Sequence, residues 1–238
     1  MPVIRLENVS KRYRGDKGSP AISEINLTVE QGDFIFLVGS RGAGKSTLLS
    51  VLSGAARPSA GTVYLDEEPV GPFSPMRRTR LKELVSVVSA ASDLKARRSV
   101  QWNLTEKRPM ALLESRFGPD PVIEKALGLV GMAGSGAKKV GELSAADCHR
   151  VELAKAIVRS PALLILDEIT DKMDDDTIWD LLHLLSELNA HGTTVVMVTN
   201  AGRFINIMRK RVITLADGKI VSDVKRGRYE LYSGWRRK

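Results

Sequence analysis

The sequence predicts an α/β fold with a mostly parallel sheet. Three unbroken apolar runs, FIFLV at 34–38, ALLIL at 162–166 and TVVMVT at 194–199, are typical of parallel strands buried on both faces. Helical patterns lie between these runs, including residues 46–52 and 177–189. This repeated alternation of strand and helix is the chain order from which parallel sheets are built.

Two other parts of the chain have different patterns. Residues 3–9 and 24–30 alternate apolar and polar side chains, which indicates strands with one face in solvent. The middle, about 91–160, has no strong strand pattern, and DPVIEKALGLVGM within it predicts a helix. We therefore expect one domain over 2–228, with a core of about 2–90 and 161–228 and a helical subdomain at about 91–160.

The composition excludes several classes of protein. Of the 238 residues, 43% are hydrophobic and 27% are charged, as in ordinary soluble domains. No apolar run approaches the roughly 18 residues of a membrane span, and MPVIRLENVSKRY has no signal-peptide core. The single cysteine, Cys148, excludes an internal disulfide and favours a reducing cytosol. It forms no ligand spacing with the three histidines, so we predict no structural metal site.

The net charge of +8 is concentrated in two places. One is PMRRTRLKE at 75–83, and the other is KRGRYELYSGWRRK at 225–238, of which 229–238 form a separate basic tail. A basic tail is compatible with a solvated segment, an anionic membrane surface or nucleic acid. Because no nucleic-acid-binding module is recognisable, we expect no nucleic-acid partner and place the membrane surface ahead of it.

The most specific motif is GSRGAGKST at 39–47, which follows the FIFLV run and starts a helical pattern. Its Gly-x-x-x-x-Gly-Lys-Ser spacing is that of a phosphate-binding loop. Glycines let backbone N–H groups turn toward phosphate oxygens, and the helix N-terminus adds favourable partial charge. Lys45 supplies a cation for the β- and γ-phosphates, and the Ser46 hydroxyl is a ligand for Mg²⁺. The predicted loop residues are Gly39, Ser40, Arg41, Gly42, Ala43, Gly44, Lys45, Ser46 and Thr47.

A pair of acidic residues completes this chemistry. Asp167 and Glu168 directly follow the ALLIL run, so they lie at a strand end. Asp167 is placed to hold the Mg²⁺ shell, and Glu168 is placed to act as general base toward water. Such a pair is common by itself and becomes specific when it is joined to the phosphate-binding loop.

The order and spacing of these motifs resemble the ATP-binding subunits of ATP-binding-cassette (ABC) systems, over about residues 2–228. The resemblance also rests on VSKRY at 9–13, LSAADCHRVELAKAIVRSPALLILDE at 143–168 and RKRVITLADGKIV at 209–221. Within this superfamily the chain is most similar to FtsE proteins, with MacB- and LolD-type export ATPases as neighbours. The resemblance implies a P-loop NTPase with a RecA-like core, an antiparallel β subdomain and a helical subdomain.

The resemblance also implies roles and partners. Tyr13 would stack on adenine, Ser144 would contact the ATP of a second subunit, and Asp174 would end the loop that couples the subunits. Two such domains enclose two ATP molecules, so a homodimer or a heterodimer is implied. FtsE proteins pair with the transmembrane protein FtsX and act on cell-wall hydrolases. A peripheral place on the cytoplasmic face of the cell membrane follows, with ATP and Mg²⁺ as cofactors.

Four positions depart from the family pattern. The signature Leu-Ser-Gly-Gly-Gln is replaced by LSAAD with Ala145 and Ala146, the expected glutamine by Ala90, and the expected histidine by Asn200. The loop that ends at Asp174 is also altered. If three changes each slowed turnover tenfold, the barrier would rise by about 4 kcal/mol. Two hypotheses follow: a slow ATPase that drives a membrane partner, or a switch that binds ATP and dimerises without regular turnover.

Overall fold

A computed structural model of the chain describes residues 2–15, 18–70, 75–89, 92–105, 120–170 and 173–227. It confirms the predicted α/β fold. The main sheet has six strands: β3 (Phe34–Gly39), β6 (Val85–Ser89), β7 (Leu163–Asp167), β8 (Thr194–Val198), β9 (Arg211–Ala216) and β10 (Lys219–Val224). Their order in the sheet is β10-β9-β3-β8-β7-β6. All neighbours in it pair in parallel except β9 and β10.

A second sheet is antiparallel and has four strands in the order β2-β1-β4-β5. The alternating pattern of the first thirty residues predicted two of its strands, and the observed strands extend a little further. Its pairing is entirely local to the first seventy residues. The strands are β1 (Pro2–Lys11), β2 (Ile22–Glu30), β4 (Ala60–Leu65) and β5 (Glu68–Pro69).

Seven α-helices occur in the described residues. The predicted helix at 120–132 is present but ends earlier, at Leu129. Between β6 and β7 the structure describes only helices and loops. The helices are α1 (Lys45–Leu52), α2 (Pro75–Leu84), α3 (Val100–Thr105), α4 (Pro121–Leu129), α5 (Ala145–Ile157), α6 (Asp175–Ala190) and α7 (Gly202–Met208). None of the helices in the described ranges is both long and apolar enough to cross a bilayer.

The hydrophobic core lies on both faces of the main sheet. Successive residues of β3 belong to opposite clusters: Phe34 and Phe36 contribute to one, and Ile35 and Leu37 to the other. One cluster joins the sheet to α3–α7, while the other joins it to α1 and the antiparallel sheet. Burial on both faces explains why the strand sequences are continuously apolar. Because β3, β7 and β8 are parallel, their carboxyl ends meet at one edge.

Candidate active site

Residues 39–47 join β3 to α1 at the carboxyl edge of the main sheet. Gly39 and Gly44 have positive φ angles of 154° and 100°. A Cβ on Gly39 would lie 2.3 Å from the Leu215 carbonyl oxygen, and one on Gly44 would lie 2.4 Å from the Ala21 carbonyl oxygen. Neighbouring backbone therefore excludes a side chain at both positions, and the loop packs tightly against β9 and the start of β2.

The ammonium group of Lys45 lies inside this loop, and only 5% of the residue is exposed. Its Nζ donates hydrogen bonds to the carbonyl oxygens of Gly39 at 2.8 Å and Ser40 at 3.0 Å. Glu168 Oε1 lies 3.9 Å from the same nitrogen. The loop thus holds a buried positive charge, which suits it to a phosphate group.

Ala43 shows how the loop satisfies part of its own backbone. The residue is buried, and its N–H donates to the Ser40 carbonyl oxygen at 3.2 Å. Its own carbonyl oxygen accepts a hydrogen bond from the N–H of Gly218, between β9 and β10. The motif alone does not predict these contacts. Among the other loop residues, Ser40, Arg41, Gly42 and Ser46 are exposed, and Thr47 is half-buried.

The Asp167 carboxylate lies at the end of β7 and forms a hydrogen bond with the Ser46 hydroxyl. Within the described residues, its Oδ1 is buried and has no hydrogen-bond partner. Burial raises the pKa of Asp167, and repulsion from Glu168 raises it further. The Ser46 hydrogen bond and the charge of Lys45 oppose this rise in pKa. A buried carboxylate oxygen without a partner is costly, so the site is suited to a cation.

The donors at this position fit Mg²⁺. A carboxylate oxygen and a serine hydroxyl are hard ligands, which Mg²⁺ prefers, and they come from adjoining strand and helix ends. No group of three or more His, Cys, Asp or Glu side chains in the described ranges could hold a metal alone. Mg²⁺ usually keeps its other positions for water and substrate phosphates. Ser46 and Asp167 are therefore adequate as the protein ligands of a metal that arrives with a nucleotide.

Glu168 has an unusual backbone conformation for a residue with a side chain. Its φ angle is 53°, in the left-handed region, and its N–H donates to the Val198 carbonyl oxygen at 3.2 Å. The side chain is 43% exposed and lies beside Lys45. This conformation presents the carboxylate to solvent at the edge where the phosphate-binding loop lies. A general base for water needs such access.

Asn200 follows β8 at the same edge of the sheet and is exposed. The preceding Thr199 is buried, and its hydroxyl forms a 2.9 Å hydrogen bond with the Thr170 hydroxyl. The Thr199 hydroxyl oxygen also accepts from the N–H of Ala201 at 3.1 Å. These bonds fix the chain on both sides of Asn200. Sequence reasoning missed this threonine pair, which has no motif of its own.

Tyr13 lies just beyond β1 and is 44% exposed. The ammonium of Lys11 lies 5.2 Å from its ring centroid. Lys11 pairs with Ile22, and the Ile22 side chain would lie 2.8 Å from a Cβ on Gly44. The pairing of β1 with β2 thus brings the segment before Tyr13 near the phosphate-binding loop. An exposed aromatic ring is compatible with stacking on a base.

Ser144 caps the N-terminus of α5. Its hydroxyl oxygen accepts from the N–H of Asp147 at 3.1 Å and donates to the Asp147 carboxylate at 2.8 Å. Ala145 and Ala146 form the exposed first turn of this helix. The serine therefore performs an ordinary capping function in the isolated chain.

Two further predicted positions have different outcomes. Asp174 caps α6, and its carboxylate accepts hydrogen bonds from the N–H and the hydroxyl of Thr177, at 2.8 and 3.0 Å. These bonds lower the pKa of Asp174. Ala90 lies outside the described residues, as do positions 171 and 172 of the altered loop.

A contact between the segment after β6 and helix α5 was not predicted. The Ser92 hydroxyl and the Asp93 N–H both donate to Glu152 Oε1. Asp93 Oδ1 in turn accepts from Lys155 Nζ at 2.8 Å, and Lys155 is only 3% exposed. These bonds attach the segment that follows Ala90 to the helix that begins at Ser144. The partners are about sixty residues apart, and no local pattern indicates them.

Comparison with known proteins adds an independent line of support. The ABC transporter family matches residues 22–171 of the chain. The cell division ATP-binding protein FtsE of Mycobacterium tuberculosis is 32% identical over 233 residues, covering 95% of this chain and 98% of that protein. FtsE of Bacillus subtilis is 32% identical, and the match covers 97% of this chain and 100% of that protein. The macrolide export ATP-binding/permease protein MacB of Hyphomonas neptunium is 34% identical, but the match covers 34% of its length.

Solved structures of ATP-binding cassettes share the fold. One is a dimeric cassette in a post-hydrolysis state bound to ADP and phosphate, with a TM-score of 0.77 and 26% identity over 95% of this chain. A nucleotide-free cassette has a TM-score of 0.79 at 21% identity over 97% of this chain. Given these matches and the loop geometry above, the chain belongs to the ABC transporter family, as an ATP-binding cassette of the FtsE-like type.

Proposed function

We propose that this protein binds Mg-ATP and hydrolyses it slowly, as the ATP-binding subunit of a membrane ABC complex. The observation that carries the proposal is the buried Asp167 Oδ1, which has no hydrogen-bond partner in the described chain and lies beside Ser46 and Lys45. Removing a carboxylate oxygen from water is unfavourable unless a cation or donor compensates it. A metal-bound triphosphate would supply that compensation in a loop already shaped for phosphate.

Each residue then has a defined task in binding. The amides of the 39–47 loop and the ammonium of Lys45 would orient the terminal phosphates. Ser46 and Asp167 would hold Mg²⁺, and Tyr13 would stack on the adenine. Bound Mg²⁺ would neutralise charge that develops on the phosphate oxygens.

Hydrolysis depends on Glu168. Its exposed carboxylate, near Lys45, would accept a proton from the attacking water. Asn200 would donate one hydrogen bond to the γ-phosphate, but an amide cannot carry the charge of an imidazolium. The loss of that charge, together with the alanines of the signature turn, is the reason for expecting slow turnover.

The complete site would require a second cassette. Ser144 and the exposed turn of α5 would lie against the ATP of a partner subunit, in a homodimer or a heterodimer. Ala145 and Ala146 put methyl groups where the backbone would approach phosphate. A misplacement of about 1 Å in such a site reduces rates on the order of 100-fold.

The membrane partner follows from the FtsE-like relatives, which are named as cell division proteins. We propose an FtsX-like transmembrane subunit, with this chain bound peripherally on the cytoplasmic face of the membrane. ATP binding and hydrolysis would drive that subunit in cell division or cell-wall remodelling.

The test measures Mg-ATP affinity by calorimetry and phosphate release on the same preparation, for the wild type and Glu168→Gln. We expect both proteins to bind Mg-ATP, and only the wild type to release phosphate above background. Absence of Mg-ATP binding by well-folded wild type, with the membrane subunit supplied, would refute the proposal.

An alternative function is an ATP-dependent switch or scaffold that dimerises without regular turnover. The observation that favours it is the Ser144 hydroxyl, which is already bonded on both sides to Asp147. ATP-dependent dimerisation, with equal background phosphate release from the wild type and Glu168→Gln, would support it. Robust turnover by the purified wild type would exclude it.

A further inference from the structure

Two loops beside helix α3 form a strongly basic surface, which we call the basic platform and define as residues 95–99 and 136–141. It carries five exposed cationic side chains within a short stretch of structure. No aspartate or glutamate occurs at 95–101 or 134–141. The five cations are Lys95, Arg97, Arg98, Lys138 and Lys139.

The two loops of the platform are joined to each other by backbone hydrogen bonds. An isolated antiparallel bridge pairs Ser99 with Lys139. Two backbone hydrogen bonds form this bridge and a third lies beyond it, so the cationic side chains project from a braced backbone. These bonds run from the N–H of Val100 to Lys138 O at 2.9 Å, from Val140 to Arg98 O at 3.1 Å, and from Gly141 to Ala96 O at 2.9 Å.

A buried asparagine fixes the first loop from within. Asn103 is 0% exposed, and its Oδ1 accepts from the N–H of Lys95 at 2.7 Å. Its Nδ2 donates to the carbonyl oxygens of Lys95 at 3.3 Å and Ser99 at 2.9 Å. The platform is therefore preorganised, which reduces the entropy lost when a partner binds.

Across the ranges that the structure describes, no ion pair involves any of the five platform cations. The guanidinium of Arg98 lies 4.9 Å from the Trp102 ring centroid. Elsewhere the same protein pairs cations closely: Arg211 contacts Asp33 at 2.7 Å and Asp223 at 2.6 Å. Glu124, whose Oε1 would lie 3.2 Å from a Cβ on Gly136, and the exposed Glu142 border the platform, but the five cations outnumber these two carboxylates.

We propose that the basic platform binds an acidic peptide segment of a protein partner. Arginine side chains bind carboxylates through two parallel hydrogen bonds, and two of the five cations are arginines. A bilayer surface fits less well, because none of the large exposed apolar side chains of the described residues lies on the platform to enter the lipid. A single nucleic-acid strand fits less well, because Arg98 covers the nearby aromatic ring on which a base would stack.

The position of the platform gives such a contact a consequence. The second loop is followed closely by Ser144, which caps helix α5. A hydrogen bond from the N–H of Leu143 to Val140 O, at 3.1 Å, holds the turn between them. The first loop follows the segment that Glu152 and Lys155 hold against the same helix. An acidic segment bound here would therefore touch both loops that adjoin the turn at Ser144, Ala145 and Ala146. The binding itself is independent of the proposed function, but this consequence for the ATP site rests on it.

The test uses the full chain without nucleotide and a fluorescent ten-residue oligoglutamate as the probe. Binding is measured by anisotropy at low salt for wild type and for the double variant Lys138→Glu/Lys139→Glu. The matched control is Lys225→Glu/Arg226→Glu, which makes the same charge change at exposed positions outside the platform. Arg97→Gln serves as a milder platform variant, and circular dichroism verifies the fold of each protein.

We expect the platform double variant to bind the probe about tenfold or more weakly, the control to stay within about threefold of wild type, and added salt to weaken binding. Equal losses in the two double variants, or no binding by wild type, would overturn the proposal. Platform-dependent binding of phosphatidylglycerol vesicles or of single-stranded DNA, tighter than that of oligoglutamate, would also overturn it. Mg-ATP affinity is measured separately, so failure of the proposed function leaves the result interpretable.

Discussion

Gly44 and Gly42 provide a test of how the phosphate-binding loop depends on its surroundings. Both residues have left-handed backbone, with φ angles of 100° and 83°. A Cβ on Gly44 would lie 2.4 Å from the Ala21 carbonyl oxygen and 2.8 Å from Ile22 Cγ2. Nothing lies within 4 Å of the corresponding Cβ on Gly42. A side chain at either position would therefore be strained by the left-handed backbone, but only one at Gly44 would also overlap neighbouring atoms.

The expected effects of alanine at the two positions follow from this difference. Left-handed backbone costs an alanine about 1–2 kcal/mol at either position. Overlap with neighbouring backbone adds about 1–3 kcal/mol at Gly44 alone, because the β2 end must shift. We expect Gly42→Ala to lower the free energy of unfolding by about 1–2 kcal/mol, and Gly44→Ala to lower it by about 2–5 kcal/mol.

Urea denaturation monitored by circular dichroism measures this difference, with an unchanged slope as the sign that both variants unfold from the same state. Calorimetry with Mg-ATP supplies a second readout, and Gly44→Ala should lose more affinity than Gly42→Ala. Equal destabilisation by the two substitutions would show that the close approach of Ala21 to the loop does not govern its stability, and would refute this reasoning.

Three other predictions concern the carboxylates and caps around the site. Asp167→Asn should raise the stability of the nucleotide-free protein at neutral pH and weaken Mg²⁺-dependent ATP binding. Because the pKa of Asp167 is raised in the folded protein, the gain in stability should shrink as the pH falls from that pKa toward the ordinary aspartate pKa. An unchanged or lower stability of the variant at pH 7 would contradict this prediction. Ser144→Ala should lower the free energy of unfolding by about 1 kcal/mol, since the hydrogen bond from the Asp147 N–H is lost, and a neutral result in urea denaturation would contradict it. Asp174→Ala should destabilise the protein at pH values above the ordinary aspartate pKa, because the bonds from Thr177 favour the ionised carboxylate. The difference in melting temperature from wild type should vanish as the pH falls through the lowered folded pKa, and a pH-independent difference would argue against this explanation.

The elements that the sequence predicted best are those whose pattern is set by burial on both faces. FIFLV lies within β3, which ends one residue later, and TVVMVT extends one residue beyond the end of β8. The β4–β5 and β9–β10 hairpins were not predicted, since their short strands alternate weakly and depend on their pairing partners. The basic stretch at 75–83 falls in helix α2, which a charge count does not indicate.

The candidate site divides in the same way. Spacing and residue type predicted Gly39, Gly44, Lys45 and Asp167 as site residues, because a phosphate-binding loop with a metal ligand requires those types in that order. The threonine pair of Thr170 and Thr199 could not be selected, because a hydroxyl acquires its role only when another hydroxyl lies within reach.

The amino-acid sequence was sufficient to predict the buried strands, their alternation with helices and a phosphate-binding loop, since these are encoded in local periodicity and short motifs. Tertiary structure alone decided that Asp167 Oδ1 is buried without a partner, that Lys155 meets Asp93, and that two separate loops combine five cations on one platform. These features join residues far apart in the chain. Their distances are fixed by the packing of the whole domain, which no local pattern records.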